Sequence, residues 1–218
     1  MNGCFFNTYK HSNRGPEAPF FAVANSLENN LPELAQSVTV RCYTETMTKV
    51  KGDIKVANTF VVRDVLLAEL DAGVRTTCGL LTKIESSLAD NWDYRLHPNM
   101  RTLLELVNHL VQIPHTDLAI LQEKSEEEIR ALEERLTTSS PEQLRDVMQS
   151  GYHALKEYME SLDEDSFLNK TTVPFYLDHG LTQAKWLTEI VTHVFHHRGQ
   201  FFTYLKSLDL PVNMFDLY

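Results

Sequence analysis

From Thr59 onward the apolar residues of this chain recur at helical rather than strand spacing, and that period limits the fold more than any other feature. Val62, Val65, Leu66, Leu70, Val74, Leu81 and Ile84 mark a first helix over about Phe60 to Leu88. After a break at Asn91 to Asn99, which contains Pro98, a second stretch runs from Arg101 to Gln122 with Leu103, Leu106, Val107, Leu110 and Ile113 on one face. Pro114 lies inside it and removes a backbone donor, so a kink or short interruption is expected there. Lys124 to Arg135 is highly charged and reads as a short solvated helix or helical connection. Ser140 can cap the third long helix, Pro141 suits its first position, and Gln143 stands at the capping-box spacing. That helix should reach about Leu162, followed by a loop over Asp163 to Gly180. The fourth begins near Thr182 or Gln183, ends about Leu208, and is closed by Pro211. Four long amphipathic helices with little strand between them predict an all-α four-helix bundle.

The first 58 residues lack that period and are expected to form an N-terminal extension ahead of a domain spanning 59–218. Ser37 to Tyr43 and Val50 to Val56 have strand character around a possible turn at Lys51-Gly52-Asp53, so a loosely ordered leader and a small hairpin both fit. The leader carries a net charge of +1, which leaves about −11 of the chain's −10 total on the later domain. Such an acidic surface disfavours nucleic acid and anionic membranes as partners. Cys4, Cys42 and Cys78 are odd in number and widely spaced, as expected of reduced thiols. There is no apolar run long enough to span a bilayer, and the start lacks the pattern of a secretory signal, so a cytoplasmic protein is expected.

The chemistry concentrates in His193-Val-Phe-His-His-Arg-Gly-Gln200. On a helix His193 and His197 are separated by about 40° around the axis, at the edge of the stripe formed by Ile190, Val194, Phe201 and Leu205. His196 points about 100° away from His197. Two inward imidazoles need polar partners, because an unpaired buried polar group costs a few kcal/mol. A divalent metal ion satisfies both through neutral ring nitrogens, as do hydrogen bonds to Tyr, Glu or water. A third ligand from another helix has five candidates: His97, His109, His115, His153 and His179. His97 and His179 fall in loops and His115 follows a proline, whereas His109 is mid-helix at the edge of the second apolar face. Glu105, one turn before His109, reads as a solvated charge, an acceptor behind a ligand, or a further ligand.

The His193 to Gln200 run resembles the signature of the DinB-like (DinB/YfiT-like) superfamily. Asn99-Met-Arg-Thr-Leu-Leu-Glu-Leu-Val-Asn-His109 is similar to the segment carrying that family's first histidine ligand. Tyr204-Leu-Lys-Ser-Leu-Asp-Leu-Pro-Val-Asn213 is similar to the usual tail. The resemblance covers about Phe60 to Tyr218 and implies an up-and-down bundle with a longer crossover connection, often a homodimer. It also implies that His109, His193 and His197 bind the metal, usually zinc or nickel, with His196, Arg198, Gly199 and Gln200 matching signature positions outside the ligand set. Its better-understood members are transferases and isomerases that use low-molecular-weight thiols such as bacillithiol or mycothiol. Three protein ligands leave a coordination position open for water or substrate, which fits a small-molecule thiol transferase or a hydrolase. A non-catalytic metal-containing stress protein is the alternative, and a fourth protein ligand would favour it.

Overall fold

The computed structural model describes residues 59–84 and 91–218. The expected leader, and the end of the first expected helix beyond Ile84, lie outside the described residues. The rest is mostly helical: α1 (Thr59–Thr82), α2 (Leu103–Leu121), α3 (Glu126–Leu136), α4 (Pro141–Ser161), α5 (Glu164–Asn169), β1 (Thr171–Thr172), β2 (Leu181–Thr182), α6 (Gln183–Ser207) and a closing 3-10 turn (Met214–Leu217).

Local chemistry sets most of these boundaries. Thr102 and Ser125 cap α2 and α3, each in a reciprocal box with the glutamate three residues on. Ser140 caps α4 ahead of Pro141 as expected, but the Gln143 carboxamide accepts from the Thr138 hydroxyl at 2.6 Å instead of completing a box. Thr182 caps α6. α1 stops short of the expected Leu88, because the Lys83 and Ile84 amides bond back to Leu80 and Leu81 and tighten the last turn. The expected loop from Asp163 to Gly180 instead holds α5 and a two-residue antiparallel pairing of Thr171 with Thr182 and Thr172 with Leu181.

Side-chain contacts give the helix directions. α1 packs on α4 and α6, and α2 packs on the same two. Gly73 of α1 meets Val194 and Phe195 of α6, and further along both helices Arg198 donates to Thr76 at 2.8 Å, so α1 and α6 run parallel. The Tyr204 hydroxyl near the end of α6 donates to the Arg101 carbonyl just ahead of α2 at 2.6 Å, which makes α2 and α6 antiparallel. Asn108 exchanges two hydrogen bonds with the Thr138 backbone, both at 2.9 Å, just ahead of α4. Seven residues on, His115 lies 3.0 Å from the hydroxyl of Ser150, well inside α4, so α2 and α4 run parallel. In chain order the long helices therefore run up, down, down and up. The longer crossover is the connection through α3, which returns the chain from the end of α2 to the start of α4. Gln112 of α2 pins it, donating to the Glu133 carbonyl at 3.1 Å and to the Thr137 hydroxyl at 3.2 Å.

The expected inner stripe of α6 is fully buried: Ile190, Val194, Phe201 and Leu205 have no exposed surface. On α1 the expected stripe is wrong in its first turns. Val62 and Val65 are 50 % and 55 % exposed, while the buried residues begin with Leu67 and Leu70. Val62 and Val65 stand about 140–160° from Leu67 around the axis and so face away from the core. Pro114 does not interrupt α2. It has no amide hydrogen for the carbonyl one turn earlier, yet buried residues from Leu110 to Leu121 hold the helix against its neighbours through that point.

At Gly151, α4 approaches α2 closely. A Cβ there would lie 2.7 Å from His115 Cδ2 and 3.1 Å from the His115 backbone nitrogen. Gly151→Ala should destabilise the domain by about 1–3 kcal/mol through overpacking, despite the gain of about 1 kcal/mol in helix propensity. A urea titration reads it, and an equal or higher midpoint would mean the seam relaxes freely.

Candidate metal centre

The antiparallel pairing of α2 and α6 brings three of the nine histidines together. His109 comes from α2, and His193 and His197, one turn apart, come from α6. His109 Nε2 lies 3.2 Å from His193 Nε2 and 3.1 Å from His197 Nε2. The three ring nitrogens lie within 4.8 Å of one another, and no other His, Cys, Asp or Glu among the described residues joins the group. His197 is buried, and His109 and His193 are half-buried.

A metal ion fits this donor set. Each neutral imidazole carries one proton on two nitrogens. A proton on His109 Nε2 can point well at only one of its two neighbours, which leaves lone pairs opposed in the other contact. A cation at the centre satisfies all three. Nitrogens about 2.0–2.1 Å from one tetrahedral ion stand about 3.3 Å apart, close to the spacing seen here.

The far sides of two rings are also engaged. His197 Nδ1 lies 2.8 Å from Gln200 Oε1. His193 Nδ1 faces the carboxylate of Asp117 at 3.7 Å, beyond hydrogen-bond range but close enough for attraction. Asp117 is a buried acid in the second half of α2. The histidine spacing does not point to it, because Asp117 meets His193 only across the packing of α2 on α6.

The remaining candidates go elsewhere. His97, His153, His179 and His196 are exposed. His97 accepts from the Asn99 amide, His179 pairs with Asp178, and His115 bonds to Ser150. Of the three readings of Glu105, the solvated charge is closest. It is exposed, accepts from the Thr102 amide at 2.7 Å and pairs with Arg95 at 3.3 Å, so it caps α2 instead of joining the site. Cys78 is buried and free, its thiol pushed up to about 11 by burial.

Burial also pushes His109 down to about 2, helped by the charge of Arg101. It pushes His197 down to about 4, against the opposing hydrogen bond to Gln200. Both rings are therefore neutral, the form that ligates metal. In the unfolded chain they take up protons near pH 6.5, so the unfolded state binds more protons below that value. The metal-free protein should keep its full histidine contribution above about pH 6.5 and lose stability as pH falls through about 4. Chelator-treated protein should show a lower urea midpoint at pH 5 than at pH 7. An unchanged midpoint would contradict the burial of neutral rings.

A helical bundle with three convergent imidazoles on two facing helices defines a class: all-α proteins with a three-histidine site able to hold a metal ion. The chain belongs to the DinB family, whose sequence profile matches residues 64–218. A crystal structure described as a DinB family member from Exiguobacterium sibiricum is similar, at 24 % identity and a TM-score of 0.59, covering 72 % of this chain and 97 % of that one. A DinB-like protein from Bacillus subtilis is similar at 19 % identity and a TM-score of 0.50, covering 67 % of this chain and 95 % of that one. Both likenesses concern the fold. No curated protein matches the chain. Among the described residues, no helix is long and apolar enough to cross a membrane.

Proposed function

We propose that this chain binds one divalent ion, zinc or nickel, through His109, His193 and His197, and acts as a metal-dependent enzyme on a small molecule in the cytoplasm. The observation that carries this reading is the convergence of three Nε2 atoms with no fourth protein donor in the group among the described residues. A structural zinc site is normally closed by four protein ligands, whereas three leave room for substrate. When bound, the ion would act as a Lewis acid toward a small nucleophile such as a thiol or water. The protein's own contribution is to keep His109 and His197 neutral by burial and to engage the far nitrogens of His193 and His197. Transfer of a low-molecular-weight thiol is favoured over hydrolysis by the resemblance of the His193 to Gln200 run to the signature of a family whose better-understood members have that chemistry.

The test is turnover by the zinc- or nickel-loaded protein with bacillithiol and a small electrophile, in parallel with ester and amide hydrolysis. Conjugation that vanishes with a chelator and returns with metal supports thiol transfer. Hydrolysis with the same metal dependence would replace thiol transfer with the hydrolase reading. Activity that survives complete metal removal, or a loaded protein inert in every assay, would overturn the enzyme reading in favour of a non-catalytic metal protein.

A further inference from the structure

We propose that Gln200 is a positioning residue that fixes the tautomer of His197, and that the exposed His196 keeps the Gln200 carboxamide facing the right way. Only the consequence for metal affinity rests on the metal reading above; the tautomer itself belongs to the chain with or without an ion.

The argument starts from spacing. Residue 200 is four positions after His196 and three after His197, the two separations at which side chains meet on a helix surface. One carboxamide thus reaches both rings, although those rings point to different sides. Gln200 Oε1 lies 2.8 Å from His197 Nδ1, and Gln200 Nε2 lies 3.1 Å from His196 Nε2.

The roles follow from what each atom can do. A carboxamide oxygen only accepts, so His197 must carry its proton on Nδ1. Its Nε2 is then a bare lone pair, and that is the atom 3.1 Å from His109 Nε2 at the centre of the cluster. A carboxamide nitrogen only donates, so His196 Nε2 must accept. Turning the carboxamide over would aim N–H at the His197 Nδ1–H and oxygen at the His196 lone pair. To escape the first clash, His197 would have to move its proton to Nε2, which removes its ligand lone pair. His196 opposes the flip by holding the amide N–H. It is not a ligand, yet it acts on the cluster through one intervening side chain.

The pairing also differs from that of His193, whose Nδ1 faces the charged Asp117. Groups behind a metal-bound histidine fix its ring and tune its basicity, and losing one typically costs about 10–100-fold in metal affinity.

The experiment uses the full chain with Gln200→Leu, which removes the acceptor at similar size, and Gln200→Glu, which keeps it. Long-range proton–nitrogen NMR of the metal-free protein reads which nitrogen of His197 carries the proton. Wild type and Gln200→Glu should show Nδ1–H, and Gln200→Leu should show a mixture or Nε2–H. Zinc affinity, measured by competition with a chromophoric chelator, should fall about 10–100-fold in Gln200→Leu and stay equal or tighten in Gln200→Glu. His196→Ala should fall between wild type and Gln200→Leu. An unchanged His197 tautomer in Gln200→Leu overturns the proposal, as does an equal loss of zinc in the Leu and Glu variants, which would indicate packing alone. If wild type takes up no zinc, the metal reading fails while the NMR comparison still decides the tautomer.

Discussion

His197→Ala is expected to abolish tight binding of a divalent ion, while His196→Ala keeps most of it. The two residues are adjacent in sequence, but His197 is buried with its Nε2 in the cluster and His196 is exposed. Removing a donor leaves two imidazoles, and no other His, Cys, Asp or Glu among the described residues joins the group to replace it. The loss should exceed the roughly 10–100-fold typical of groups that act behind a ligand. Chelator competition with zinc measures both variants. Equal losses would mean that the facial separation of neighbouring residues on α6 is wrong.

Phe201→Ala is expected to have the largest effect on stability. Phe201 lies one turn after His197, has no exposed surface and belongs to the common core. Truncating a fully buried Phe costs about 3–5 kcal/mol in lost burial and residual cavity. Domains of this size have only about 5–15 kcal/mol in total, so the midpoint should fall by roughly 6–20 °C. Calorimetry on the metal-free protein isolates this effect from linkage to bound metal. A shift of a degree or two would place Phe201 in a site that collapses easily and would contradict its place in the rigid core.

The helices and the metal-ligand candidates were legible because both depend on periodicity. A residue's angle around a helix follows from its number, so the inward direction of His193, His197 and Phe201 could be worked out before any contact was known. The same arithmetic failed at Val62 and Val65. There the apolar character is real, but no neighbour among the described residues buries that face, and the stripe that packs starts with Leu67. Burial depends on what lies opposite, and one helix does not encode that.

Directions were harder to read than elements. The up, down, down, up order depends on α3 carrying the chain back along α2, and the seven charged residues among its eleven state only that a solvated helix exists there. Glu105 reads as a solvated charge and is one, for a local reason: Thr102-x-x-Glu105 is a capping box, which accounts for the carboxylate without any ligand role. Asp117 and Gln200 needed three dimensions. Asp117 is on α2 and serves a ring on α6, and Gln200 bridges two rings that the helical wheel separates.

The central claim is that His109, His193 and His197 form one metal-ion site. Elemental analysis of full-length protein, purified without a metal-affinity step and dialysed against trace zinc and nickel, tests it most directly. The account predicts one divalent ion per chain in wild type and almost none in a protein carrying His109→Ala, His193→Ala and His197→Ala together. A wild-type protein that stays empty, or a triple variant that retains its ion, would contradict it.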